Sequence, residues 1–281
     1  MATVRSDTMK LSIPQRRLAS LVATLLLVAV WLAGAHWIRI SLGHVGVYSG
    51  ASLLVCLVAL MLIGLRKRLI MLPLWSVSTW VQVHIYTGLF ACIVYVIHVP
   101  SIIASGRLEG PLSGLFLAVS ASGFYGVFIS RVVPKRITNV SIQPRYDRIP
   151  WHRSQIAIAA DKSMTDLADS HDRAVLQSFF ERSLQPYFAS SMSPRYLLNP
   201  SSTRRRRLLG ALNELDRYLD SSVLVVSKRL AALVRHRDDL DYQHAMQFRL
   251  RGWVVFHAAL SMVLIVWSFL HAFIAIGMLG N

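Results

Sequence analysis

The sequence predicts an all-α integral membrane protein: a helical bundle of about five transmembrane helices, with a largely helical cytoplasmic insert between the fourth and fifth. Of its 281 residues, 54% are hydrophobic and only 16% are charged, against about 25% charged residues in a typical soluble domain. The apolar residues gather in five runs, each long enough to cross a hydrocarbon core of ~30 Å. This composition excludes a disordered tail and an ordinary soluble enzyme.

The five runs are residues 18–38, 47–65, 80–99, 112–130 and 253–278. Glycine and serine dilute the second and fourth, but both keep the ~20 mostly apolar residues that a span needs. Within the first, the sequence Ala33-Gly34-Ala35 resembles the cleavage site of a signal peptide. We expect a retained helix there.

Lysine and arginine are distributed unevenly about these spans. Of the 30 Lys and Arg residues, 28 lie in the N-terminal segment, in the second connection or in residues 131–251, and only Arg39 and Arg107 lie in the alternate connections. Because basic loops stay on the cytoplasmic side, the N-terminus is predicted to be cytoplasmic and the C-terminus external. The expected location is the bacterial cytoplasmic (inner) membrane. Anionic lipid accounts for the net charge of +16, so no nucleic-acid partner is expected.

The predicted organisation has four parts: a cytoplasmic segment (1–17), four spans (18–130), a basic cytoplasmic segment (131–250) and the last span with an external end (251–281). Residues 161–187 and 202–249 have the apolar spacing of helices. The run Arg204–Arg207 is predicted to be a solvated or lipid-facing surface, or a docking surface for an acidic partner. No glycine-rich nucleotide-binding motif occurs anywhere in the chain.

Four of the ten histidines lie inside two of the spans. His84 and His98 are 14 residues apart in the third span, and His257 and His271 are 14 residues apart in the fifth. Fourteen helical residues complete almost four turns, so each pair lies on one helix face and is separated by ~21 Å along the axis. A tryptophan precedes His84 and His257 at the same distance, and tryptophan favours the membrane interface.

Topology then predicts which histidines meet. The third and fifth spans both run from inside to outside, so His84 matches His257 in depth near the inner face, and His98 matches His271 near the outer face. Two facing imidazoles on parallel helices are the axial ligands expected for a b-type haem. The sequence therefore predicts two stacked haems b, with His84–His257 and His98–His271 as the ligands of haem iron.

Other interpretations of the histidines remain open. Polar residues at membrane depth are costly and tend to be functional, yet neighbouring helices could simply satisfy these side chains. A zinc site would need a third or fourth ligand. Further candidate haem-binding residues are Gly88, where a missing side chain would let a porphyrin approach, and Arg249 and Arg251, which could pair with haem propionates. Helix packing and interfacial anchoring are equally good explanations for these three residues.

The histidine pattern, His84-x-x-x-Gly88 through His98 together with His257 through His271, resembles the membrane domain of the ferric reductase and NADPH oxidase superfamily. The resemblance implies two helices that carry two histidines each and hold two haems across the membrane. Members usually have a sixth helix that leads into a flavin- and nicotinamide-binding domain, and neither is expected here. The resemblance covers the membrane helices and excludes residues 131–250.

These observations predict a dihaem cytochrome b subunit that transfers electrons across the membrane within an oxidoreductase complex. The expected partners are membrane lipid and redox subunits, such as a flavoprotein, an iron–sulfur protein or a multihaem cytochrome. A quinone at one end of the pathway is left open. The alternatives are a stand-alone ferric or quinone reductase module, and a haem-free membrane scaffold or transporter subunit that recruits partners through its basic segment.

Overall fold

A computed structural model of the chain describes residues 13–66, 76–137, 146–167 and 171–279. The basic residues Arg5, Lys10, Lys67 and Arg68, which contribute to the predicted orientation, lie outside the described residues. All regular secondary structure within the described part is helical. The first four helices are α1 (Ile13–Ile40), α2 (Val45–Arg66), α3 (Val77–His98) and α4 (Glu109–Ile137).

Six further α-helices follow among the described residues: α5 (Ile149–Thr165), α6 (His171–Phe179), α7 (Gln185–Ala189), α8 (Pro194–Leu198), α9 (Thr203–Leu215) and α10 (Ser221–Leu279). A π-helical turn, Phe180–Leu184, joins α6 to α7. Short 3-10 turns precede α5 and follow α9.

Five of these helices, α1 to α4 and α10, are long and apolar enough to cross a membrane. Each corresponds to one of the five predicted spans, with the third span ending one residue beyond α3, so the predicted fold class of an all-α membrane bundle is confirmed. No more than 22% of the residues in any of the five apolar windows are buried within the protein. Large apolar side chains therefore remain exposed, among them Phe273 (78%) and Val255 (70%). Continuous exposed apolar surface of this kind is suited to contact with lipid.

The chain divides into two units. The membrane unit comprises Met1–Val127 and Val255–Asn281, and the insert unit comprises Phe128–Val254. In the membrane unit, a core of apolar side chains joins α1, α2, α3 and α4. Trp31 stacks on Tyr48 and donates a hydrogen bond from Nε1 to Ser52 Oγ (2.9 Å), which ties α1 to α2. Tyr95 of α3 stacks on Phe116 of α4 with ring centroids 4.2 Å apart.

The insert unit has its own hydrophobic core, built from α5, α6, the π-helical turn, α7, α9 and the first part of α10. The core is centred on fully buried side chains such as Leu176, Leu184 and Leu230. His244 is half-buried, with its ring edge-on to Tyr146 at 4.6 Å between centroids.

The two long helices predicted within the insert are interrupted in the structure. In residues 161–187, α5 ends at Thr165 and α6 begins at His171. Asp166 lies at the break, where short polar side chains compete with the helical backbone for hydrogen bonds. In residues 202–249, α9 ends at Leu215 and α10 begins at Ser221. The apolar spacing resembles that of one helix because both pieces bury a face in the same core.

Helix α10 has 59 residues and is continuous from Ser221 to Leu279. At 1.5 Å per residue it is ~88 Å long, about three times the thickness of a hydrocarbon core. The boundary predicted between the insert and the last span, at residues 250–251, therefore falls inside one unbroken helix. Gly252 does not interrupt it, since the residues on both sides keep the helical hydrogen-bond pattern.

A buried ionic cluster holds the insert unit together. The Arg237 side chain is only 2% exposed, and its guanidinium donates hydrogen bonds to the carbonyl oxygens of Phe188 and Ser190, both at 2.8 Å. It also pairs through Nε with Asp241 Oδ2 (3.2 Å). Arg153 Nε lies 3.0 Å from the other Asp241 oxygen. A buried arginine is tolerated here because its donors and its charge are both matched.

Candidate functional site

Two pairs of imidazole rings join α3 to α10 within the membrane unit. In the first histidine pair, the ring centroids of His84 and His257 are 6.4 Å apart and the ring planes are inclined at 73°. In the second histidine pair, the centroids of His98 and His271 are 6.5 Å apart and the inclination is 77°. The structure thus brings together the same residues that spacing and depth paired in the sequence.

The separation within each pair matches the space that one metal ion needs. Two imidazoles sharing a metal ion at the ~2.0–2.1 Å typical of metal–histidine bonds have centroids about 6.3 Å apart, since each ring nitrogen lies ~1.1 Å from its centroid. Edge-to-face ring pairs that share no metal have the same separation, as Trp31 and Phe90 do at 6.4 Å and 89°. Among the residues that the structure describes, no group of three or more His, Cys, Asp or Glu side chains is placed to hold a metal ion. Each pair therefore offers two protein ligands.

The hydrogen bonding of His98 determines which ring nitrogen is available for a metal. Nδ1 of His98 lies 2.9 Å from Ser49 Oγ. The Ser49 hydroxyl already donates to the Val45 carbonyl oxygen (2.9 Å), and a hydroxyl has one proton to donate. When the hydroxyl proton is held by Val45, Ser49 Oγ accepts from the Nδ1–H of His98. This tautomer leaves Nε2 with a lone pair, as a metal-binding histidine requires.

The other three histidines have different surroundings at Nδ1. His257 Nδ1 lies 3.2 Å from Ser122 Oγ of α4. His271 Nδ1 approaches Glu109 Oε1 at 4.0 Å, too far for a hydrogen bond but close enough for an ion pair with a protonated ring. His84 Nδ1 is buried and has no hydrogen-bond partner. Partners on the non-coordinating nitrogen are typical of histidines that bind metals.

Sequence reasoning did not identify Ser49, Ser122 or Glu109. The two serines are single hydroxyls within apolar spans, where a hydroxyl most often satisfies its own helix. Their role becomes visible only when α2 and α4 are placed beside the histidines. Glu109 offered a stronger signal, since it is an acidic residue at the first position of a membrane-spanning helix.

Two glycines border the histidine pairs in different ways. A Cβ atom built on Gly88 would meet nothing within 4 Å, so open space lies beside α3 one turn beyond His84. A Cβ atom on Gly50 of α2 would lie only 3.1 Å from His98 Cε1. The open space at Gly88 is what the predicted approach of a porphyrin requires, and Gly50 is a close contact that the sequence did not reveal.

The arginines predicted to pair with propionates lie in the insert unit. The Arg251 guanidinium lies over the ring of Tyr146, with its central carbon 4.3 Å from the ring centroid. Arg249 is half-buried and has its own interactions. The proposed role of both residues remains a prediction. His36 and His44, at the end of α1 and just before α2, are exposed and belong to neither histidine pair.

Comparison with protein-family models, with curated proteins and with solved structures finds no match to this chain. The site is therefore interpreted from its own geometry.

Proposed function

We propose that this protein is a dihaem cytochrome b subunit that transfers electrons across a membrane. The observation that carries the proposal is the equal separation of the two histidine pairs, 6.4 and 6.5 Å between centroids. Both values fit a metal ion held between two imidazoles. Spacing each pair by 14 residues places the two centres ~21 Å apart along the helices, which extends the pathway over most of a ~30 Å hydrocarbon core.

The residues present fit this cofactor. The haem would supply an iron that changes its oxidation state by one electron. His84 and His257 would hold one haem and His98 and His271 the other, each through Nε2. Two histidines per iron leave no axial position for a substrate, so the chemistry expected is electron transfer. Ser49 orients His98, Ser122 orients His257, and the open space beside Gly88 would admit the edge of a porphyrin.

We also propose that the protein lies in the bacterial cytoplasmic membrane with its insert in the cytoplasm. The distribution of Lys and Arg supports this orientation. In this arrangement, the first histidine pair lies toward the cytoplasm and the second pair toward the external side. Electrons would pass between redox subunits, or a quinone, on the two sides.

The basic run Arg204–Arg207 is less uniform than the sequence suggests. Arg205 pairs with Asp238 (3.1 Å) and Asp239 (3.4 Å) within the insert unit. The Arg204 guanidinium lies over the ring of Tyr187, whose hydroxyl pKa is raised by burial. Only Arg206 and Arg207 are exposed without such contacts. If the insert docks an acidic redox subunit, these two residues are the better candidates.

The test is the haem content of the purified protein. We expect two non-covalent haems b per chain, extractable by acid acetone, with the reduced spectrum of a six-coordinate b-type cytochrome. His84→Ala and His257→Ala should each remove the same component of a redox titration, and His98→Ala and His271→Ala should each remove the other. His36→Ala is the matched control, because its exposed imidazole belongs to neither pair.

One haem or none per chain in the unsubstituted protein would contradict the proposal. A haem-free protein would favour the scaffold or transporter alternative, in which the four histidines are polar contacts between α3 and α10. If His84→Ala and His271→Ala removed the same redox component, the protein would still be a dihaem cytochrome, but the proposed pairing of the histidines would be wrong.

A further inference from the structure

A cavity of about 440 Å³ lies among α1, α2 and α3 in the membrane unit. Its volume falls within the range of ~300–1,000 Å³ found for small-molecule sites. It is lined by residues from the first half of α1, the second half of α2 and the first half of α3. These three segments belong to the same end of the membrane unit, because successive helices run in opposite directions.

The walls of this cavity differ in polarity. Ala23 and Leu27 of α1 and Val55 and Ala59 of α2 provide apolar lining beside the hydroxyls of Ser20 and Thr24, and these four apolar side chains are partly open to the surroundings of the protein. A ligand that is soluble in the bilayer therefore has a lateral route into the cavity. Such a wall suits a flat apolar ring or a hydrocarbon chain.

The α3 wall is polar. Thr79, Gln82 and Tyr86 line the cavity at positions i, i+3 and i+7, which lie on one helical face. A threonine, a glutamine and a tyrosine on one stripe bring amide and hydroxyl donors into an apolar environment, where polar groups are costly and mark sites of function. A hydrocarbon chain forms no hydrogen bonds with such donors. A ring that carries carbonyl oxygens can accept hydrogen bonds from them.

The cavity also lies at the level of the first histidine pair. Gln82 and Tyr86 each lie two residues from His84, ~3 Å along the axis of α3. They are about 160° around the helix from His84, one in each direction, so this polar stripe and the imidazole are on opposite faces of α3. The distance between a ligand in the cavity and the His84 ring is then about one helix diameter, ~10–12 Å.

We propose that this cavity binds a quinone, a lipid-soluble carrier with an apolar ring and two carbonyl acceptors. The proposal rests on the dihaem function proposed above, and it names the electron carrier at the first histidine pair. Oxidation of one quinol releases two electrons and two protons. Two bound haems would supply the one-electron acceptors for these two electrons, and the protons would leave along the polar stripe toward the end of α3 at Thr79.

The experiment measures binding of decylubiquinone and menadione to the purified full chain by isothermal titration. Ala59→Phe places a ring in the cavity and should weaken binding of the preferred quinone at least tenfold, while the haem content stays unchanged. Val58→Phe is the matched control, because Val58 is exposed on the same helix and does not line the cavity. Gln82→Leu tests the polar wall and should weaken quinone binding without reducing binding of dodecane.

Stopped-flow reduction of the haems by decylubiquinol or menadiol gives the second readout. Ala59→Phe should slow it at least tenfold, and reduction by dithionite should be unaffected. Equal binding by Ala59→Phe and Val58→Phe, in a protein that contains both haems, would overturn the quinone site and leave the dihaem function intact. If the purified protein contains no haem but binds quinone, and Ala59→Phe weakens this binding, the quinone site is supported and the dihaem function is contradicted. Equal competition by dodecane would identify the cavity as a lipid site and overturn the proposal.

Discussion

At the scale of single residues, the chemistry of each histidine depends on what its second ring nitrogen meets. His98 Nδ1 lies within hydrogen-bond distance of Ser49 Oγ, and a ring that donates from Nδ1 has an unprotonated Nε2. The buried Nδ1 of His84 has no side-chain partner of this kind, and the ring interacts instead with the backbone of Leu60. Although the two pairs have the same separation, they are therefore expected to differ in ligand basicity and in haem potential.

Ser49→Ala removes the acceptor of the His98 Nδ1–H. We expect haem retention at the second pair to weaken by roughly 10–100-fold, the usual cost of losing an outer partner of a metal ligand. The measurement is the haem-to-protein ratio after dilution with apomyoglobin, together with a redox titration of both components. Ser122→Ala should affect the first pair instead.

The comparison of these two serine variants is internally controlled, because both delete one hydroxyl from a membrane helix. Loss of the same redox component in both would contradict the contacts of Ser49 with His98 and of Ser122 with His257. A change in both components by equal amounts would indicate a general loss of stability.

At the scale of elements, the approach of α2 to α3 is set by Gly50. Because Gly50 has no side chain, the His98 ring can lie against α2; a Cβ atom on Gly50 would lie 3.1 Å from Cε1 of the ring. Contacts this short force a rigidly packed neighbour to shift, and interiors transmit such shifts. The ring of His98 is the neighbour that would move.

Gly50→Val is therefore expected to displace His98 and to remove or shift the redox component of the second pair, with less than a twofold change in the first. Visible spectroscopy and redox titration measure this directly. Gly46→Val provides the control on the same helix, because a Cβ atom on Gly46 meets nothing within 4 Å. If both variants disturb the second component equally, the close approach of Gly50 is not the cause.

A second prediction at this scale concerns the link between α10 and α7. Arg237→Ala leaves the Phe188 carbonyl without a buried donor, removes one of the two donors to the Ser190 carbonyl (the other is Arg153) and removes a partner of Asp241. Breaking a buried charged cluster costs about 3–5 kcal/mol, which corresponds to a fall in unfolding temperature on the order of 10 °C. Scanning calorimetry of the full chain measures it.

Arg235→Ala is the control for this change, because Arg235 is exposed on the same helix two residues away. Its effect should stay within ~0.5 kcal/mol. Similar unfolding temperatures for the two variants would show that the buried cluster adds little to the stability of the insert unit.

At the scale of the whole molecule, the unequal distribution of Lys and Arg predicts a single orientation in the membrane. Two exposed residues should lie on opposite sides of the membrane: Ser105, between α3 and α4, and Gln155, in α5. Ser105 is expected on the external side and Gln155 in the cytoplasm. A membrane-impermeant maleimide should label Ser105→Cys in intact spheroplasts and Gln155→Cys only after lysis. The native Cys56 and Cys92 lie within spans, and the unsubstituted chain measures their background.

The reverse labelling pattern would invert the proposed topology. The first histidine pair would then face the external side, together with the quinone cavity. The pairing of the histidines would be unaffected, because it depends on α3 and α10 being parallel.

The sequence by itself determined the fold class, the five spans and the four histidines that form the pairs. The reason is that these properties are local or nearly so. Hydropathy over ~20 residues decides whether a helix crosses a membrane. A spacing of 14 residues decides that His84 and His98 share a helix face, whatever surrounds that helix. Whether the pairs hold haem remains a prediction for experiment.

Only the tertiary structure decided which side chains from other helices meet the histidines. Ser49, Gly50, Ser122 and Glu109 come from α2 and α4, and their contacts depend on how each helix is rotated about its axis. The same is true of the cavity, whose walls come from three helices. The breaks inside the insert were also missed, because apolar spacing reports a buried face and does not show where the chain turns. The rotation of each helix about its axis and the positions where the chain turns both depend on long-range packing, which no local sequence pattern reveals.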